Sequence, residues 1–93
     1  MFRIWGKVIK DNHMIKDTVI SLNDKKLSRT KKVYKSLEMI CQEFDLPIPI
    51  WHDVNKKEFI DHSMTRFQPV SFMESVEFDY LEIRVIEEDN FWE

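Results

Sequence analysis

The alternation of apolar and polar residues at the start of the chain predicts a β-hairpin. From Phe2 to Lys10 the apolar side chains follow the two-residue period of a strand. A second run rich in β-branched residues extends from Met14 to Leu22, and the turn-forming pair Asp11 and Asn12 precedes it. Residues 1–22 are therefore predicted to form a hairpin.

The next apolar pattern has the period of a helix. Apolar side chains recur three or four residues apart between Val33 and Phe44, which is typical of an amphipathic helix. Ser28 or Thr30 is expected to cap its start, and Pro47 stops its continuation. The main helix is predicted to span residues 30–45.

The second half of the chain predicts a short helix and a last strand. Asn55 and Glu58 have the spacing of a capping box, which predicts a helix over residues 55–64. Residues 65–75 are expected to be irregular. Alternating apolar residues predict the last strand over residues 76–87, and an acidic tail covers 88–93.

This order of elements predicts one α+β domain over residues 1–93, with a small antiparallel sheet of three or four strands and the long helix on one face. The first and last strands carry apolar residues on both sides. The second face of the sheet is therefore expected to be covered, either by the short helix and the proline-containing loop or by another subunit.

Composition favours a reducing compartment. The chain has one cysteine, Cys41, so no intrachain disulfide can form, whereas small secreted domains usually carry several. No signal-peptide core and no apolar run of about 20 residues is present, so we expect a cytoplasmic protein without a membrane segment.

Charge is distributed unevenly. Residues 1–37 hold ten Lys or Arg against three Asp or Glu, a net charge of +7, and residues 38–93 hold four against fourteen, a net charge of −10. Two explanations stay open: a basic face for an anionic partner, or a basic strand beside an acidic one within the fold, which we favour. The basic run that could contact nucleic acid comprises Lys25, Lys26, Arg29, Lys31, Lys32 and Lys35.

Several functional classes are disfavoured. A single glycine cannot form the glycine-rich phosphate loops of nucleotide enzymes. One cysteine and three dispersed histidines do not make a structural zinc site. We expect no cofactor, and these sequence features together disfavour an enzyme.

The best remaining cluster for metal binding or acid–base chemistry consists of His52, Asp53, Glu58, Asp61 and His62. The last three are spaced to share one face of the short helix. A solvated helix face is the favoured alternative. Cys41 lies on the apolar stripe of the main helix, where a buried thiol is inert.

Two further predictions concern contacts. Arg66 precedes a segment rich in carboxylates, and we expect it to form a structural ion pair there, with Asp79 as the partner. The side chains proposed for interaction are Trp5, Trp51, Phe91 and Trp92. The last two lie in the acidic tail, which either packs back on the domain, docks on a neighbour or stays loose.

Several stretches resemble a family of short uncharacterised bacterial proteins from anaerobic Gram-positive gut bacteria. They are Lys10–Asn12, Asp17–Ile20, Cys41–Leu46, Pro49–Trp51, Thr65–Phe67, Phe78–Glu82 and Val85–Asp89. The resemblance implies a bacterial cytoplasmic protein and implies no activity, ligand or catalytic residue.

The sequence therefore favours a non-enzymatic protein–protein interaction or accessory protein, with homodimer formation through an apolar sheet face as one form of it. The alternatives are a small metal-binding protein or enzyme that uses the His52–His62 cluster, and a nucleic-acid accessory protein that uses the basic segment 25–35.

Overall fold

The structure is a computed structural model that describes residues 1–88, and it begins with the predicted hairpin. Strand β1 (Phe2–Lys10) pairs antiparallel with strand β2 (His13–Leu22). The connecting residues Asp11 and Asn12 have φ angles of 52° and 64°. Positive φ at both central positions gives a turn whose twist matches that of the strands, so these two residues set the hairpin register.

The main helix, α1, spans Arg29–Phe44, close to the predicted range. The Ser28 side chain accepts a hydrogen bond from the backbone N–H of Lys31, which satisfies one of the free donors at the helix start. Asp45 ends the helix in the left-handed conformation. The Leu46 N–H then donates to the Cys41 carbonyl at 2.8 Å, so the chain turns away before Pro47.

The second helix, α2, begins two residues earlier than predicted and spans Asp53–His62. The Asn55 Oδ1 atom accepts a hydrogen bond from the His52 N–H at 2.9 Å. Asn55 therefore occupies the third position of the capping box rather than the cap itself, which explains the shift.

The prediction that residues 65–75 are irregular is wrong at its beginning. Met64–Phe67 forms a short strand, β3, and a 3₁₀ turn at Pro69–Ser71 follows it. The strand is only four residues long, so it is too brief to display a clear alternating pattern in the sequence.

The last strand, β4, spans Tyr80–Glu87 and so begins four residues later than predicted. Phe78 lies before the strand, buried in the core and in edge-to-face contact with Phe72 at 5.4 Å between ring centroids. Residues 76–79 therefore lie in the irregular segment before β4 and are not part of the strand.

The sheet has the order β2-β1-β4-β3, and every neighbouring pair is antiparallel. The last strand is thus inserted between β1 and β3. This four-stranded sheet with its two helices makes the described chain an α+β domain. No helix within residues 1–88 combines the length and apolar character needed to cross a membrane.

Both helices pack on the same face of the sheet. The core contains side chains from α1 and α2 together with one parity of each strand, including Ile4, Ile83 and Phe67. The short helix therefore does not cover the second face, contrary to one of the two expectations. On the second face Arg3, Asp17, Val19, Arg66 and Arg84 are exposed, and we call it the open face.

The single glycine fixes how closely α1 approaches the sheet. Gly6 lies on the core side of β1, and an added Cβ would lie 2.8 Å from both Cδ1 and Cγ2 of Ile40. Ile40 is fully buried, so its side chain has no free space into which it can move. The contact places α1 directly against β1.

We predict that Gly6→Ala destabilises the fold by about 1–3 kcal/mol through overpacking, although alanine normally improves a strand position. The measurement is urea unfolding of Gly6→Ala, Ile40→Ala and the double variant. Ile40→Ala should cost less in the alanine background than in the wild type, because it removes the clash. Additive effects of the two substitutions would contradict this explanation.

Candidate functional site

The residues proposed for metal or acid–base chemistry are not assembled into a site. Within residues 1–88, no group of three or more His, Cys, Asp or Glu side chains is placed to hold a metal ion. His52 precedes α2, while Asp53, Asp61 and His62 are exposed on it. The favoured alternative, a solvated helix face, describes these three residues.

Glu58 has a structural role. Its Oε1 atom accepts a hydrogen bond from the Thr65 hydroxyl at 2.7 Å. The Asn55 side chain donates to the same hydroxyl oxygen at 2.9 Å and to the Arg66 carbonyl at 3.0 Å. Asn55 and Thr65 are both buried, so this network fixes α2 against β3.

We predict that Asn55→Ala lowers the free energy of unfolding by about 2 kcal/mol or more, because the His52 N–H and the Arg66 carbonyl lose a buried partner. The comparison variant is Lys56→Ala, at an exposed position of the same helix. Urea unfolding of the two variants checks the prediction, and equal stabilities would contradict it.

Cys41 is completely buried on α1. Burial raises the pKa of its thiol to about 11, so the reactive thiolate is scarce at neutral pH. The thiol fills space in the core, as its position on the apolar stripe indicates.

The basic segment 25–35 does not form one continuous charged surface. Arg29 forms an ion pair with Glu88 and a hydrogen bond with the Ser63 hydroxyl. Lys32, another member of the basic run, is buried and lies over the Phe2 ring. Arg29 and Lys32, in the middle of the segment, therefore make contacts within the fold.

Ion pairs between the basic first half of the chain and its acidic second half account for part of the charge asymmetry. Arg3 faces Glu87 at 3.6 Å, Lys7 faces Glu82 at 3.1 Å, and Arg29 contacts Glu88. The favoured explanation, a basic strand beside an acidic one, is confirmed for β1 and β4.

Two of the four aromatic residues proposed for interaction lie in the described chain. Trp51 packs edge-to-face on Tyr34, Phe59 and Phe67, with ring centroids 5.0–5.9 Å apart, and so belongs to the core. Trp5 lies on the open face. Phe91 and Trp92 lie outside the described residues.

A groove of about 440 Å³ lies between the end of α1, the hairpin and the segment before β4. Its walls combine apolar side chains such as Val8 and Phe44 with charges of both signs, including Lys16 and Glu77. None of the residues proposed for catalysis lines it.

The open face carries a row of alternating charge. Asp17, Lys7, Glu82 and Arg66 are direct neighbours across the four strands. Their signs run negative, positive, negative, positive from β2 to β3. The open face therefore carries charged side chains beside apolar and aromatic ones such as Trp5 and Val19.

Glu82 is the centre of this row. Its side chain is only 2% exposed. Its carboxylate lies 2.9 Å from Arg66 Nε, 3.1 Å from Lys7 Nζ and 3.5 Å from Arg84 Nε. Burial acts to raise the pKa of the Glu82 carboxyl, but the hydrogen bonds from Arg66 and Lys7 outweigh it and hold the pKa below its ordinary value of 4.5.

Aromatic rings lie beside these cations. Lys7 Nζ lies 4.0 Å from the centroid of the Trp5 ring, and the Arg66 guanidinium lies 4.7 Å from that of Tyr80. The Trp5 indole N–H donates to Asp17 at 3.0 Å. Each ring is thereby fixed flat against a charged neighbour.

The structure gives Arg66 a different partner from the one predicted. Asp79 precedes β4, and its carboxylate accepts a hydrogen bond from the backbone N–H of Asp11. Arg66 lies on β3 directly opposite Glu82. The prediction depended on proximity in sequence, whereas the pairing is set by the strand register.

Sequence reasoning did not identify Lys7, Glu82 and Arg84 as functional candidates. The available signal was the presence of charges at alternate positions of two strands that are otherwise apolar. Their convergence on one carboxylate also requires β4 to lie beside β1, which no local pattern reveals.

Comparison with families of known proteins, with curated proteins and with solved structures gives no match to this chain. The open face is therefore interpreted from its own geometry.

We predict that Glu82→Gln lowers the free energy of unfolding at pH 7 by about 1–3 kcal/mol, because three cations lose their anion. The folded-state pKa of Glu82 is lowered, so its contribution is complete above about pH 4.5 and is lost as pH falls further. The difference between wild type and variant should therefore narrow below that pH.

The measurement is urea unfolding at several pH values between 3 and 7. Glu87→Gln is the control, because the Arg3–Glu87 pair is about half exposed and should contribute less than about 1 kcal/mol. A Glu82→Gln effect that does not change with pH would contradict the assigned role.

Proposed function

We propose that this chain is a non-enzymatic interaction protein whose binding surface is the open face of the sheet, and that its ligand is a protein surface of mixed charge. The observation that supports this proposal is the row of Asp17, Lys7, Glu82 and Arg66, in which anions and cations alternate across all four strands. A complementary surface must offer charges of both signs.

The residue types on the face also suit protein recognition. Trp, Tyr and Arg are the side chains enriched at energetic centres of protein interfaces, and Trp5, Tyr80, Arg66 and Arg84 lie here together. The ion pairs and cation–π contacts already hold them in place, so binding orders few additional side chains.

Nucleic acid is a poorer ligand for the same surface. A phosphate backbone needs a continuous positive surface, whereas two carboxylates, Asp17 and Glu82, interrupt the cations. We place the protein in the cytoplasm, a proposal supported by the single, buried and unpaired Cys41.

Site-specific photocrosslinking in the native host tests the proposal. Val19 is 45% exposed on the open face, and Ile60 is 80% exposed on α2. We predict that Val19→p-benzoylphenylalanine gives a discrete, nuclease-resistant protein adduct on irradiation, and that Ile60→p-benzoylphenylalanine does not.

The adduct should disappear when Arg84→Glu is added, because this cation is exposed beside Trp5. Nucleic-acid adducts from position 19 would contradict the proposal. So would the absence of any adduct, or the same adducts from both positions.

A further inference from the structure

The charge row on the open face is self-complementary. Consider a second copy placed face to face with the first by a 180° rotation about an axis that runs parallel to the strands between β1 and β4. In the second copy each row runs in the reverse order across the sheet. Asp17 then lies opposite Arg66 of the second copy, and Lys7 lies opposite Glu82 of the second copy. At the outer positions exposed charges of opposite sign meet, while at the inner positions Lys7 lies above a Glu82 carboxylate that the cations of its own copy already cover.

The neighbouring rows are also complementary under this rotation. The next row consists of Val19, Trp5, Arg84 and Met64. Rotation about the same axis places the Trp5 ring opposite Arg84 and the two apolar side chains opposite each other. A cation over an indole ring is a favourable contact.

A third row places Ile9 beside Tyr80. The rotation brings these two half-buried side chains opposite each other, one from each copy. One axis therefore satisfies charged, aromatic and apolar positions together, as an isologous interface requires.

From this pattern we infer that the partner of the open face is a second copy of this chain, packed face to face about that two-fold axis. The inference rests on the proposed function, since it names the protein that this surface binds. Two sheets that pack in this way are rotated by about 30° because of their twist, so the pairs near the axis stay in the best register. Those pairs come from the two central strands.

The buried carboxylate reduces the cost of association. Taking a free charge out of water is unfavourable, but Glu82 is already 2% exposed in one copy and is neutralised by three cations. Dimer formation therefore desolvates mainly Asp17 and the outer ends of Arg66 and Arg84.

The area of the open face determines how strongly two copies are expected to bind. Four strands about 4.8 Å apart and about six residues of each give a surface of about 20 Å by 20 Å per copy. A contact of this area lies at the small end of specific interfaces, where binding is weak or transient. We therefore expect a dissociation constant of about 1–100 µM, roughly the range of weak specific complexes.

The outer charges provide the test, because Asp17 and Arg66 lie on the two edge strands, about 14 Å apart within one copy. Sedimentation velocity of the wild type from about 1 to 500 µM should show a monomer–dimer equilibrium in the expected range. Asp17→Arg and Arg66→Asp should each weaken dimerisation by at least about tenfold, equivalent to about 1.4 kcal/mol.

An equimolar mixture of Asp17→Arg and Arg66→Asp should regain dimers, because both outer pairs then join opposite charges. A variant that had merely lost its fold could not be restored by mixing. Lys35→Asp and Glu38→Arg are the matched controls, since they reverse charges at exposed positions of α1 and should leave the equilibrium unchanged.

A wild type that stays monomeric at every concentration would overturn the inference, and so would dimers that ignore the Asp17 and Arg66 variants or a mixture that stays monomeric. If the chain is monomeric while position 19 crosslinks to a different protein, the interaction function stands and only the identity of the partner is wrong. If position 19 gives no protein adduct, the interaction function itself fails.

Discussion

The buried carboxylate of Glu82 is the interaction on which the open face depends. It lies on a central strand and receives cations from β1, from β3 and from its own strand. Because these long side chains cover it, a charged group can stay out of water without a layer of apolar residues above it. Lys7 and Arg66 also lie against the rings of Trp5 and Tyr80. Glu82 therefore positions the main charged and aromatic side chains of the open face.

The two faces of the sheet differ in what they contribute to stability. The absence of a side chain at Gly6 lets α1 lie close against β1, and the Asn55 network holds α2 on the same side. The apolar stripe of α1 and Phe59 of α2 are buried there. The opposite face contributes little to the core, so its residues are less constrained by packing than those of the core face.

The sequence predicted the elements with strong local signals and failed where a signal depended on tertiary pairing. The hairpin and α1 follow from alternation, from the Asp11–Asn12 turn and from Ser28, all of which act within a few residues. The four-residue β3 and the partner of Arg66 could not be found in this way. Both depend on the pairing of β4 with β3, and no sequence pattern near β3 predicts that pairing.

The central position of β4 has a consequence for the order of assembly. Its partner β1 lies more than seventy residues earlier in the chain, so the middle of the sheet closes only after nearly all of the described residues have been synthesised. Until then, the hairpin and α1 form a partial structure with the inner edge of β1 unpaired, and exposed edges of this kind invite mispairing. A fold built in this order completes the open face and pairs the inner edge of β1 in the same step.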